Sequence, residues 1–178
     1  MVQALRENDL SNIAVLLVGP ASIARFAPIL QKRALRYFEA QDAAAALGNL
    51  YRWQPGAIVC DHDMPNITGT EFTRIVRHAP NIPDPTVPLM LFVGDADRAV
   101  VEEARDAGVG QIVVLSAGEA TLWAKLRQAI TSPPRFVAGA PYFGPDRRYL
   151  NRHVSPERRR TPATLIARPC GAGRVGAF

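Results

Sequence analysis

The sequence predicts an α/β fold, a five-stranded parallel sheet with helices on both faces, followed by an irregular C-terminal tail. Three observations predict it. Apolar runs of strand length without polar alternation recur along residues 1–131, the pattern of strands buried on both faces. Segments with apolar residues at helical spacing lie between these runs, and alternating strands and helices build a parallel sheet with crossover helices. The 178 residues, 48% of them hydrophobic, suffice for one domain with a buried core plus an appendage.

The elements follow in order. Ile13 to Val18 is a continuous apolar strand stopped by Gly19-Pro20. Ser22 is a candidate cap for a helix carrying Ile23, Phe26, Ala27 and Leu30, with Pro28 expected to kink or shorten it. Ala34 to Phe38 is a second, shorter strand, and Asp42 caps an alanine-rich helix to about Tyr51. Trp53-Gln54-Pro55-Gly56 is a turn, after which Ala57 to Cys60 is a buried strand that delivers Asp61 at its end. A helix from Thr70 or Glu71 to His78 gathers Phe72, Ile75 and Val76 on one side. Four prolines between Pro80 and Pro88 stiffen the connection to a fourth strand, Leu89 to Val93. Asp97 to Ala107 is a helix with Gly108 as its stop, and Gln111 to Leu115 is the fifth strand. Ser116-Ala117-Gly118-Glu119 has the form of a capping box and opens a helix with Leu122, Leu126 and Ile130 in register. Ligands in doubly wound folds sit beyond the carboxyl ends of the strands, so function is sought at Gly19, Asp61, Val93 and Leu115.

Composition excludes several classes. No apolar run approaches the ~18 residues of a membrane span, so no membrane insertion is expected. Met1 to Leu10 lacks a signal-peptide core, and two cysteines, Cys60 and Cys170, are too few for a disulfide framework or zinc cluster. These features fit a reducing, cytoplasmic setting. The net charge of +5 is unevenly spread: residues 1–131 hold 12 basic and 14 acidic groups, whereas residues 132–178 hold nine arginines against Asp146 and Glu157. A slightly acidic body therefore carries a strongly basic, Pro- and Gly-rich tail.

The strongest local signal is Cys60-Asp61-His62-Asp63-Met64-Pro65-Asn66-Ile67-Thr68-Gly69. It resembles the phosphoacceptor segment of bacterial response-regulator receiver domains of the chemotaxis type, where Asp-x-x-Met-Pro-x-x-x-Gly follows the third strand. The resemblance covers residues 11–131 and includes the order of all five units and the Ala107-Gly108 pair. It implies a flavodoxin-like fold, Asp61 as the phosphoacceptor position, and a role in two-component phosphorelay signalling with a sensor kinase or other signalling protein as partner. In that family the phosphoryl group also needs magnesium, a hydroxyl and a lysine. The sequence departs at each place: Gly19-Pro20 stands where the first strand should end in an acidic pair, Val93 where a hydroxyl belongs and Leu115 where the lysine belongs. Ile112 replaces the aromatic switch residue. The expectation is a degenerate, stand-alone pseudo-receiver that acts by protein–protein interaction, not an enzyme. The alternative is a single-domain regulator still phosphorylated on Asp61, with Asp63 and Asp95 completing an acidic magnesium pocket.

The remaining candidates read more plainly. His62, His78 and His153 have no partners at metal-ligand spacing, and Cys60 lies within an apolar strand as a small core residue. Trp123 is one residue off the last helix's apolar stripe, with partner-face exposure and core packing left open. No Ser-His-Asp or Cys-His arrangement has support. In the tail, Pro-[Asp/Glu]-Arg-Arg occurs twice, at Pro145 to Arg148 and at Pro156 to Arg159. Most of the tail reads as a solvated, disordered extension. Its arginines, Arg147, Arg148, Arg158, Arg159 and Arg160, suit an anionic partner: an acidic protein surface, nucleic acid, or cyclic di-GMP. Asp146 and Glu157 inside the repeats weaken the nucleic-acid reading and favour docking, including a fold-back onto the acidic body. Arg147 and Arg148 are the first candidates to enter the Asp61 pocket and replace the missing lysine or metal charge.

Overall fold

A computed structural model describes residues 10, 12–95, 97–139, 142–146 and 164–166. The chain alternates β1 (Ala14–Val18), α1 (Pro20–Gln31), β2 (Arg36–Ala40), α2 (Ala43–Trp53), β3 (Ala57–Asp61), α3 (Gly69–His78), β4 (Leu89–Val93), α4 (Arg98–Asp106), β5 (Gln111–Val114) and α5 (Glu119–Thr131). The strands form one parallel sheet in the order β2-β1-β3-β4-β5. This is the expected doubly wound, flavodoxin-like arrangement.

The apolar runs are explained by the two cores. On β1, Leu16 and Val18 face α2, α3 and α4, where they pack with Leu50, Phe72, Val76 and Ala104. Val15 and Leu17 point the other way, into a cluster with Phe26 and Leu30 of α1 and Leu122 and Leu126 of α5. Successive strand residues alternate between faces, so a strand covered on both sides needs apolar residues throughout. Trp123 belongs partly to the second cluster and lies under the Arg33 guanidinium, 4.6 Å from its ring centroid.

Three local readings are corrected. Helix α1 starts at Pro20, not at Ser22, with Gly19 as its N-cap and no side-chain cap of its own; it runs through Pro28 to Gln31. Proline at the first helical position is favourable because its missing N–H would have no intrahelical partner. Ala34 adopts a left-handed turn with φ 53°, which delays β2 by two residues. Helix α5 is capped by Gly118 without a side-chain bond, so Ser116 does not form the expected box. The Ala117 N–H bonds the Val114 carbonyl instead, placing Ser116 inside a turn.

The extension is not irregular throughout. β6 (Phe136–Gly139) and β7 (Tyr142–Pro145) form an antiparallel pair, and β8 (Thr164–Ile166) adds to the other side of β6. This small sheet packs where α3 ends and the α4–β5 turn passes. The buried Arg77 guanidinium lies over the Phe136 ring at 4.9 Å from its centroid, and His78 meets Phe143 edge-on. Gly108, at φ +88°, lies so near that an added Cβ would come within 2.7 Å of the Phe143 carbonyl oxygen. Periodicity missed these strands because each has at most four residues. In this contact the body supplies the cation and the extension the aromatic ring; the tail arginines of the expected fold-back lie outside the described residues.

Candidate functional site

β3 delivers Asp61 to the carboxyl end of the sheet, beside the end of β1. Its side chain is nearly buried, at 4% exposure. Gly19 and Pro20 shape what it meets. Pro20 begins α1, so the N–H groups of Ala21 and Ser22 emerge from the first turn without intrahelical acceptors. Both are taken by Asp61: Ala21 N–H donates to Oδ2 at 2.8 Å and Ser22 N–H to Oδ1 at 2.7 Å. The Ser22 hydroxyl also donates to Oδ1. Asp61 thus performs from β3 the capping task that Gly19 has no side chain to perform.

Gly19 makes the approach possible. At φ +94°, it lies so close that a Cβ there would stand 2.5 Å from Asp61 Oδ2. No acidic side chain could occupy this position without displacing the carboxyl. Burial pushes the Asp61 pKa above its ordinary value, and Asp63 adds like-charge repulsion. The hydrogen bonds from Ser22 and Ala21 oppose the shift without cancelling it.

The other predicted positions lie around this cap. Val93 ends β4 fully in the core, while Leu115, 38% exposed, follows β5 with its N–H bonded to the Val93 carbonyl. Ile112 packs in β5 against the α2–α4 cluster. Asp63 and Asp95 are exposed. No group of three or more His, Cys, Asp or Glu side chains among the described residues is arranged to hold a metal ion. Of the carboxylates expected to form a magnesium pocket, Asp61 is engaged by the first turn of α1 and Asp63 and Asp95 are exposed, while Gly19 offers no carboxylate at the end of β1. Burial, reinforced by the neighbouring Asp61, pushes the Cys60 thiol far up, which removes thiolate chemistry at pH 7.

The tail candidates Arg147, Arg148, Arg158, Arg159 and Arg160 lie outside the described residues. Asp146, the last described residue before them, lines a cavity with Leu89 and Gln111, the first residues of β4 and β5, at the sheet end opposite Asp61. Sequence reasoning gave Ser22 only a cap of its own helix and did not single out Arg77. Gly19-Pro20 was the available signal for Ser22, because Pro at N1 puts residues 21 and 22 at the donor positions of the turn.

A family model described as the response regulator receiver domain matches residues 19–127. Among solved structures, the chain is similar to the chemotaxis protein CheY4 of Vibrio cholerae, with 24% identity over 65% of this chain and 97% of that one, at a TM-score of 0.59. It is also similar to the receiver domain of a signal transduction histidine kinase from Syntrophus aciditrophicus, with 18% identity over 68% and 92% of the two chains, at a TM-score of 0.60. A third is the receiver domain of a sensor histidine kinase from Pseudomonas aeruginosa, solved with magnesium coordinated in the active-site cleft, with 22% identity over 68% and 99%, at a TM-score of 0.60. These likenesses establish the fold. No curated protein matches the sequence.

Proposed function

Because the chain belongs to the response regulator receiver domain family, we propose that it acts in two-component signalling as a pseudo-receiver, through contacts with a sensor kinase or another signalling protein. One observation carries this reading: both Asp61 oxygens are already bound by the first turn of α1. A phosphoacceptor carboxylate must present a free oxygen to phosphorus, and the product needs its added charge neutralised. Val93 and Leu115 offer neither a hydroxyl nor a cation for that charge. The apolar scaffold that would present the domain to a partner is intact.

The reading in which Asp61 is phosphorylated has one observation in its favour. A helix N-terminus suits a phosphoryl oxygen as well as a carboxylate. Incubation with a small phosphodonor and magnesium, read by intact mass, separates the two. The pseudo-receiver is expected to gain no mass. A hydroxylamine-sensitive phosphate on the wild type, absent from Asp61→Asn, would overturn the proposal.

A further inference from the structure

At the sheet end opposite Asp61, the added sheet and the body line a partly open cavity of about 800 Å³. Its floor is the start of β4 and β5, one wall is α5, and the other is the segment from Ser132 through β6 with the end of β7. The volume lies within the range of small-molecule sites. Its charged lining is unbalanced: Arg77, Lys125 and Arg135 face Asp146 as the sole acid among the described lining residues.

The cations are of two kinds. Arg77 is committed, donating to the Gly108 and Pro85 carbonyls at 3.1 and 2.7 Å while its guanidinium covers Phe136. Lys125 and Arg135 are uncommitted: neither side chain makes a hydrogen bond or ion pair among the described residues. Lys125 comes from α5 and Arg135 from the segment leading into β6, so body and extension each supply one. Gln111, also in the lining, holds a buried Oε1 with no hydrogen-bond partner among the described residues. A buried acceptor left unpaired is costly, so it calls for a donor. Pro133, Pro134 and Pro145 add flat apolar surface to the lining.

We propose that this cavity binds a small phosphomonoester with a flat, hydrogen-bonding body, of nucleoside monophosphate size. The phosphate carries about −1.5 to −2 charge at pH 7, matching the two uncommitted cations. The body lies along the proline surface and donates an N–H or O–H to Gln111 Oε1. The carbonyl end of Gln128 offers a second acceptor, and its amide a donor. Because the two cations come from the two sides, the ligand also ties the added sheet to the body. The site is independent of the reading given to Asp61.

Calorimetric titration of the full chain with the four ribonucleoside 5′-monophosphates, inorganic phosphate and the unphosphorylated nucleosides tests this at low and physiological ionic strength. At least one monophosphate is expected to bind at one site per chain, and to bind more tightly than phosphate or its nucleoside. Lys125→Ala and Arg135→Ala should each weaken that binding about fivefold or more. Arg36→Ala, an exposed cation on the far edge strand, should leave it unchanged. Gln111→Leu should weaken the monophosphate and its nucleoside but not phosphate. Failure of all four monophosphates to bind, binding that vanishes at physiological salt, or equal loss in Arg36→Ala would each overturn the proposal. Thermal melts of all the variants, expected to match the wild type, separate lost binding from lost folding.

Discussion

Asp61 gives both carboxylate oxygens to the first turn of α1, so substituting it removes a helix cap whatever else it does. Asp61→Ala is expected to lower stability by about 1–3 kcal/mol, because the Ala21 and Ser22 donors lose their acceptor. Asp61→Asn, which keeps one acceptor oxygen, should cost less. Denaturant titrations would show this order, and equal stability of all three proteins would contradict the cap. The carboxyl also leaves a signature in pH. Its native pKa is raised from 3.8, mainly by burial, so the folded state holds the proton more tightly than the unfolded chain. By linkage, its contribution is greatest at low pH and falls as pH rises from the unfolded value through the raised native one. Relative to Asp61→Asn, the wild type should therefore lose stability across that window; a gain there would show that the bonds from α1 outweigh burial. Gly19→Ala attacks the same contact from the other side. The added Cβ meets Oδ2 at 2.5 Å on a backbone at φ +94°. A loss of roughly 1–3 kcal/mol is expected by the same denaturant measurement.

Helices α3 and α5 carry similar signals in the sequence but begin differently. Before α3, Thr68 accepts from the Glu71 N–H while Glu71 returns a bond to the Thr68 N–H, a complete capping box. Thr68→Ala should cost about 1 kcal/mol in a chemical melt, and unchanged stability would show that the box is incidental. At α5, Glu119 instead meets Lys32 of the α1 C-cap at 2.9 Å and Arg33 at 3.5 Å. A tertiary partner has displaced the local one, and four residues of sequence cannot reveal an ion pair with a residue 87 positions away. The same contrast separates what was legible elsewhere. The five strands, their order and the helices between them were readable because a sheet covered on both faces demands apolar runs that few other structures tolerate. Asp61 was readable as a strand-end carboxylate. Its capture by α1 was not, since that depends on how closely two strand ends approach, and only Gly19-Pro20 hinted at it.

Across the whole molecule, the charge asymmetry suggested an arginine tail held on an acidic body, while the described contacts place a body arginine on an aromatic ring of the extension. The difference can be measured. Arg77 sits 3% exposed against Phe136, and Phe136 and Val137 are themselves buried. Burying one Phe side chain is worth about 1.5–3 kcal/mol, and a cation over its face adds up to ~2 kcal/mol. Ending the chain after Ser132 should therefore destabilise the body. Amide shifts should concentrate at His78, Gly108 and Gly110, with little change at Asp61 or Ser22. Phe136→Ala in the full chain should reproduce much of that pattern. Salt then distinguishes the two accounts of the contact. Pairing between exposed tail arginines and body carboxylates would weaken steeply as salt screens it. A ring packed over a buried guanidinium is screened much less, so the shift difference between full-length and shortened chains should persist at high salt. If high salt makes the two spectra converge, the extension is held by surface charge and not by the Arg77–Phe136 contact.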